Sequence, residues 1–205
     1  RILVLDLGPA AQITPLSATR AGAELARRLE AEAETAATLL ADPIPGAAVS
    51  SGEILARVVL GMRLRNYRFE LMPQAQAAHA IALTLVADAV DEAAMRRLSG
   101  VAEGVALART LVNYPASHLH PENFGQHLAP LGAAGIGLEE LLPAELERLG
   151  MGAVLAVGNG SVRKPRVFAL PYRGEGAAGR PVALVGKGMC FDSGGLCIKT
   201  GPQMF

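Results

Sequence analysis

Residues 185–199 read Val185-Gly186-Lys187-Gly188-Met189-Cys190-Phe191-Asp192-Ser193-Gly194-Gly195-Leu196-Cys197-Ile198-Lys199. They continue an apolar run at 181–185, PVALV, whose composition is that of a buried strand. The fifteen positions hold two lysines, one aspartate and four glycines. Buried strands seldom end in such a segment. Glycine lets the backbone approach closely or take positive φ, which leaves room for something small and charged beside Asp192 and the two lysines. A carboxylate suits a hard or borderline cation. A neutral lysine amine is also a ligand once its pKa, ordinarily about 10.4, is lowered, and a metal's own charge does that. The mundane alternative is a surface turn with solvated charges. An α/β fold places its sites beyond the carboxyl ends of strands, so Lys187, Asp192 and Lys199 are expected beyond the strand that ends near Val185.

Upstream, the chain alternates between strand and helix patterns. Residues 1–8, RILVLDLG, predict a buried strand closed by Gly8. Pro15 and Ser17 precede an Ala/Leu/Arg/Glu stretch that predicts a helix to about Leu40, with Leu25 and Leu29 at helical spacing. The run DPIPG at 42–46 breaks it. Ser50 and Glu53 form a capping-box pattern, and the following helix carries Ile54, Leu55, Val58, Val59 and Met62. Met72-Pro73-Gln74 reads as a linker. Residues 80–87 predict a strand, and 92–113 a helix with Gly100 or Gly104 as candidate breaks. Pro115 ends that helix, because the residue before proline avoids helical backbone. Pro121 suits the first position of a helix to about Leu131. Residues 137–140 predict a short strand, and 144–149 a short helix stopped by Gly150. Residues 166–172 and 181–185 predict two more strands. Strands alternating with helices argue an α/β class.

At 205 residues the chain fits one large or two small domains. Nineteen basic residues balance nineteen acidic ones, so there is no electrostatic footprint for nucleic acid or an anionic membrane. The most apolar run, 75–90, contains His79, Thr84 and Asp88 and is too short and mixed to cross a bilayer. The first residues lack a signal-peptide pattern. Cys190 and Cys197 are the only cysteines. Such sparse usage suggests a reducing compartment and free thiols rather than a disulfide.

The run VGKGMCFDSGGLCIK closely resembles the signature of the leucyl aminopeptidase family, the cytosol aminopeptidases, which are two-metal exopeptidases. Further segments resemble that family in the same order: LRNYRF at 64–69, ARTLVNYP at 108–115, LGMGA at 149–153 and AVGNGS at 156–161. The similarity runs from about residue 50 to the end and is looser before that. A signature this long is specific, unlike a short motif. The resemblance implies a partial α/β N-terminal domain over residues 1–73. Residues 74–205 would be the N-terminal part of an α/β catalytic domain with a mostly parallel sheet. It implies that Lys187 ligates one metal and Asp192 bridges two. Lys199 would be catalytic, polarising the scissile carbonyl and stabilising the tetrahedral oxyanion. Two divalent ions, zinc or manganese, about 3.5–4 Å apart would activate a water and hold both oxygens of the intermediate. A fixed ammonium would add positive charge where negative charge develops. The implied substrates are peptides with a free N-terminus, cleaved after leucine-type residues. The implied assembly is a homo-oligomer, often a hexamer, in the cytoplasm.

The chain departs from the family pattern at Cys190, where threonine is commoner, and at Cys197, where several relatives carry a polar or acidic residue. Ser117 and His120 alter the segment after Pro115. None of these touches the three key positions. The family also carries an aspartate ligand shortly after the signature, then an aspartate, a glutamate and a catalytic arginine. All would fall beyond Phe205. The chain is therefore expected to be an internal piece of a longer protein and inactive alone, or else a non-catalytic assembly or binding module.

Two other patterns compete. Gly174-Glu175-Gly176-Ala177-Ala178-Gly179 matches GxGxxG, the mark of a dinucleotide-binding oxidoreductase. That fingerprint needs a helix directly after it, whereas Arg180-Pro181 leads into a predicted strand. His118 and His120 are spaced to share a zinc ion if other ligands converge. Nothing nearby supplies them, and helix-cap or surface roles are expected for these and for His79 and His127. Asn113 is expected to pack or cap near Pro115.

Overall fold

Helix α1, Pro15–Ala31, begins where Thr14 and Ser17 cap each other. The Thr14 hydroxyl accepts from the Ser17 amide at 3.1 Å, and Ser17 Oγ accepts from the Thr14 amide at 2.9 Å. This reciprocal pairing satisfies two amide donors at the helix start. The computed structural model describes residues 2–71, 79–87, 90–194 and 197–204. In it α1 stops at Ala31, not near Leu40. Ala33 takes left-handed backbone at φ 55°, and Ala36–Ala41 becomes strand β1. Alanine and leucine serve either conformation. Parallel pairing with strand β2, Ala82–Ala87, decides the matter, in register from Ala36 with Ala82 to Ala41 with Ala87. Tertiary pairing here overrides helix propensity.

Helix α2, Ser51–Asn66, forms as its pattern predicts, with the Ser50 hydroxyl accepting from the Glu53 amide at 3.2 Å. The Glu53 carboxylate does not complete the capping box. It accepts from Arg57 Nε at 2.7 Å and from Arg97 Nη2 at 3.2 Å. Helices α1 and α2 touch backbone to backbone at two glycines. A Cβ on Gly22 would lie 1.9 Å from the Val58 carbonyl oxygen, and one on Gly61 would lie 1.9 Å from that of Thr19. Around this crossing, Ala18, Leu25, Ala26 and Leu29 of α1 bury against Ile54, Val58 and Met62 of α2. Leu3, Leu5 and Leu7 pack on the same core. The strand expected over residues 1–8 is nevertheless not formed: alternate side chains use the core, but residues 2–8 join no sheet.

Helix α3, Glu92–Asn113, runs unbroken through Gly100 and Gly104. Its Ala94, Leu98 and Ala102 form a second buried cluster with Ala56 and Leu60 of α2. Tyr67 adds a polar tie to this helix. Its hydroxyl lies 3.0 Å from Thr110 Oγ1 and accepts from Asn113 Nδ2 at 3.3 Å, and the Arg109 guanidinium sits 4.0 Å from the ring centroid. Because β2 pairs with β1 and α3 packs on α2, the chain divides into compact units at 1–113 and 114–205. The boundary expected near residue 73 falls at 72–78, outside the described residues.

The second unit holds α4 (Pro121–Leu128), a 3-10 turn over Ala129–Ala134, β3 (Glu139–Leu141), α5 (Pro143–Arg148), α6 (Gly152–Gly158) and β4 (Val167–Ala169). Pro121 takes the first position of α4, and Gly150 ends the α5 turn at φ 69°. Leu146 is fully buried, and Phe124 stacks on Phe168 with ring centroids 5.5 Å apart. Helix α6 lies where the sequence predicts no element. Strands β3 and β4 pair antiparallel. The parallel pairing is that of β1 with β2, and β2 lies within the 74–205 part for which a mostly parallel sheet is expected. Residues 181–185 are not a strand. Val182, Leu184 and Val185 are 87%, 94% and 96% exposed, because no described strand offers the run a ladder. The class is α/β, helices mixed with a parallel strand pair. No helix among the described residues is long and apolar enough to cross a membrane.

Candidate functional site

The loop after residue 185 folds back on itself at Asp192, Gly194 and Lys199. Asp192 Oδ1 accepts from the Gly194 amide at 2.8 Å, an aspartate turning the chain two residues on. Gly194 sits at φ 92°, and a Cβ there would lie 2.5 Å from the Cys197 carbonyl oxygen. Glycine is therefore required at this position on both conformational and steric grounds. The Lys199 amide donates to the Ser193 carbonyl at 2.8 Å, which closes the loop. The Lys199 ammonium then reaches Asp192 Oδ2 at 3.1 Å and the Asp192 carbonyl oxygen at 3.5 Å.

These contacts set the charge state. The Gly194 amide, then the Lys199 ammonium, with Lys187 adding through space, hold the Asp192 carboxyl below the usual carboxylate range. Asp192 is thus an ionised carboxylate on an exposed loop. Lys187 is exposed and makes no hydrogen bond or ion pair among the described residues. The structure therefore brings Asp192 and Lys199 into contact and leaves the Lys187 amine free. The three residues lie on an irregular loop, not beyond a strand end as the sequence predicts. Burial pushes the Cys190 thiol up, so it stays protonated. Cys190 and Cys197 are free thiols, as expected.

Sequence reasoning overlooked the Gly194 amide as a site group and the Lys199–Asp192 pair. The signal for the first was present, since aspartate with glycine two positions on is a turn pattern. The pair joins positions seven apart in a loop, and no periodicity announces it. Of the histidines, His120 stands at a helix start and His118 is on the surface, as expected, whereas His79 and His127 are half-buried. His120 precedes α4, and its amide donates to Asn123 Oδ1 at 2.9 Å. His118 stacks on Tyr114, His127 packs on the same ring, and His79 Nε2 lies 2.6 Å from the Glu34 carbonyl. Among the described residues no group of three or more histidines, cysteines, aspartates or glutamates converges as a metal site. Among the described residues no helix begins directly after Gly179, so the glycine-rich loop at 174–179 lacks the element a dinucleotide fingerprint needs.

Comparison with known proteins finds similarity to the cytosol aminopeptidases. Residues 106–205 match the cytosol aminopeptidase family, catalytic domain. A probable cytosol aminopeptidase of Methylorubrum extorquens is 42% identical over 166 residues, covering 78% of this chain and 33% of the relative. One from Rhizobium etli is 37% identical over 212 residues, covering 100% of this chain and 42% of the relative. Among solved structures, the bottromycin maturation enzyme BotP in complex with Mn is similar with a TM-score of 0.74 at 31% identity, covering 97% of this chain and 41% of that one. The chain thus spans between a third and about two-fifths of the length of the curated relatives it matches.

Proposed function

The chain belongs to the cytosol aminopeptidase family, and from that premise we propose that it supplies part of a metal-dependent site that removes N-terminal residues, leucine-type among them, from peptides. The observation that carries the reading is an ionised, exposed Asp192 carboxylate with one lysine on it and a second lysine left unpaired. These groups fit a divalent cation as part of its ligand set: the carboxylate is a hard oxygen donor, and the Lys187 amine is a nitrogen donor once the metal's charge has displaced its proton to solvent. Asp192 and Lys187 would hold the metal. The manganese in BotP supports a divalent ion, zinc or manganese, as the natural occupant. When bound, two such ions supply Lewis acidity and a water of lowered pKa. Lys199, long-stemmed and cationic, would donate to the oxygen of the scissile carbonyl as negative charge collects there. The Gly194 amide orients the Asp192 carboxylate. Assembly as a homo-oligomer of the hexameric kind and a cytoplasmic location belong to the same proposal.

A second reading, a non-catalytic assembly or binding module, draws on one observation. Asp192 and Lys187 are only two donors, and metal affinity needs a full ligand count and geometry. The two readings part in the full-length protein. There Lys187→Ala should lower metal occupancy as well as rate. Lys199→Ala should keep metal content at least at the wild-type level and lose about 10²–10³ in kcat, the usual cost of an oxyanion donor. Metal analysis and steady-state kinetics on leucine p-nitroanilide measure both. Full activity in Lys199→Ala, or equal metal loss in the two variants, would show the lysines to be wrongly assigned.

A further inference from the structure

Both oxygens of Asp192 are already engaged: Oδ1 by the Gly194 amide at 2.8 Å, Oδ2 by the Lys199 ammonium at 3.1 Å. The two partners differ in kind. The amide is part of the turn and cannot leave without unfolding it. The ammonium stands at the end of a flexible four-carbon stem whose backbone is pinned separately, by its amide on Ser193. The pair is open to solvent, with side chains 36% and 55% exposed for Lys199 and Asp192. Exposed ion pairs are weak. A dication and an ammonium also cannot share one carboxylate oxygen without strong repulsion. Whatever cation takes Oδ2 must turn Lys199 off it.

We propose that Lys199 is a placeholder cation, which neutralises Asp192 while the metal is absent and is expelled from it when the metal binds. The inference rests on the reading of Asp192 as a metal-binding residue and adds a coupling to it. The ammonium that answers charge on the substrate is withheld on Asp192 until the metal arrives. Lys199 is then a competitor of the metal as well as a group of the reaction, and metal affinity is lower than Asp192 and Lys187 alone would give. Lys187 stands in contrast. Having no partner to lose, it is captured by the metal rather than released.

The test uses Mn²⁺ as the probe and the full-length protein that carries these 205 residues. Binding is followed by the loss of the free-ion electron paramagnetic resonance signal. Lys199→Met keeps the stem and removes the charge, and it should bind Mn²⁺ roughly two- to five-fold more tightly than wild type, the scale of one exposed ion pair. The wild-type chain provides an arm that needs no variant. Acetylation rates of individual lysines, read by mass spectrometry, should rise at Lys199 and fall at Lys187 with the same Mn²⁺ midpoint, while Lys164 stays constant as the internal reference. Affinity in Lys199→Met equal to or below wild type would overturn the inference. So would a Lys199 rate that is flat or falling as Mn²⁺ binds, or no Mn²⁺ binding by either protein at millimolar metal. Asp192→Asn separates the two levels. If it binds Mn²⁺ as wild type does, Asp192 is not the metal residue, and the proposed site falls together with this inference. If it abolishes binding while Lys199→Met changes nothing, the site stands and only the placeholder role is lost.

Discussion

At the residue Glu24 the consequences of local ion pairing are plainest. Its carboxylate accepts from Arg27 Nε and Nη2, both at 2.7 Å, and from Arg28 Nε at 3.0 Å. The Arg27 bonds first, then Arg28, lower its pKa from 4.5 to about 2. The folded-state value lies below the unfolded one, so the stabilisation is complete above about 4.5 and is lost as pH falls toward about 2. Thermal unfolding of wild type and Glu24→Gln should therefore differ at pH 6 and converge as the pH is lowered through that window. A difference that persists at pH 2 would contradict the assignment. Asp192 follows the same physics, but its first partner is a backbone amide, which makes it depend on Gly194. Gly194→Ala places a side chain at φ 92° and against the Cys197 carbonyl, a strain of about 1–3 kcal/mol. It should weaken Mn²⁺ binding while leaving the melting of residues 1–113 unchanged, as read by hydrogen exchange. Lys187, Asp192 and Lys199 stood out in the sequence because they belong to a long signature. The contact between Asp192 and Lys199 was not legible, because loop geometry sets it.

At the scale of elements, the helices were readable wherever a cap and a breaker bracketed them. Ser50 and Glu53 marked the start of α2, Pro121 the start of α4, and Asn113 before Tyr114-Pro115 the end of α3. Errors came where a segment's partner decides its state. Residues 36–40 are good helix formers, yet they pair with β2. Residues 1–8 and 181–185 have strand composition, yet the described structure offers neither a ladder. Strand formation rests on cross-strand neighbours more than on intrinsic preference, so these segments are the ones a single sequence misjudges. The α1–α2 crossing was also invisible in the pattern, because Gly22 and Gly61 look like interruptions of two helices. In the structure they are where the helices meet. Alanine at either position is a better helix former by about 1 kcal/mol, but its Cβ would overlap a backbone oxygen at 1.9 Å. Forcing the helices apart costs about 1–3 kcal/mol. Gly61→Ala should therefore lower the stability of residues 1–113 in denaturant titration. A gain in stability would mean that the helices adjust freely at the crossing.

Across the whole molecule, the density of chemistry is uneven. Residues 1–113 contain both clustered cores, whereas residues 114–205 contain the signature loop with its lysines and aspartate. The second unit rests on smaller packing units, such as the Phe124–Phe168 stack and the buried Leu146. Its apolar segment at 181–185 is almost fully exposed. A metal centre with working affinity draws on three or four protein donors that converge, and among the described residues no such group of acidic, histidine or cysteine side chains is found. On the proposed reading Asp192 and Lys187 would supply two donors, and Asp192 is already ion-paired with Lys199. The 205-residue chain by itself should then bind Mn²⁺ no more tightly than an isolated pair of ligands does, and it should show no appreciable hydrolysis of leucine p-nitroanilide at any Mn²⁺ or Zn²⁺ concentration. The measurement is a progress curve on the purified chain across a metal titration, with Asp192→Asn run beside it to expose any contaminating peptidase. Turnover that disappears in Asp192→Asn would show that two donors and one ammonium suffice for the chemistry, and the need for further converging ligands would be refuted.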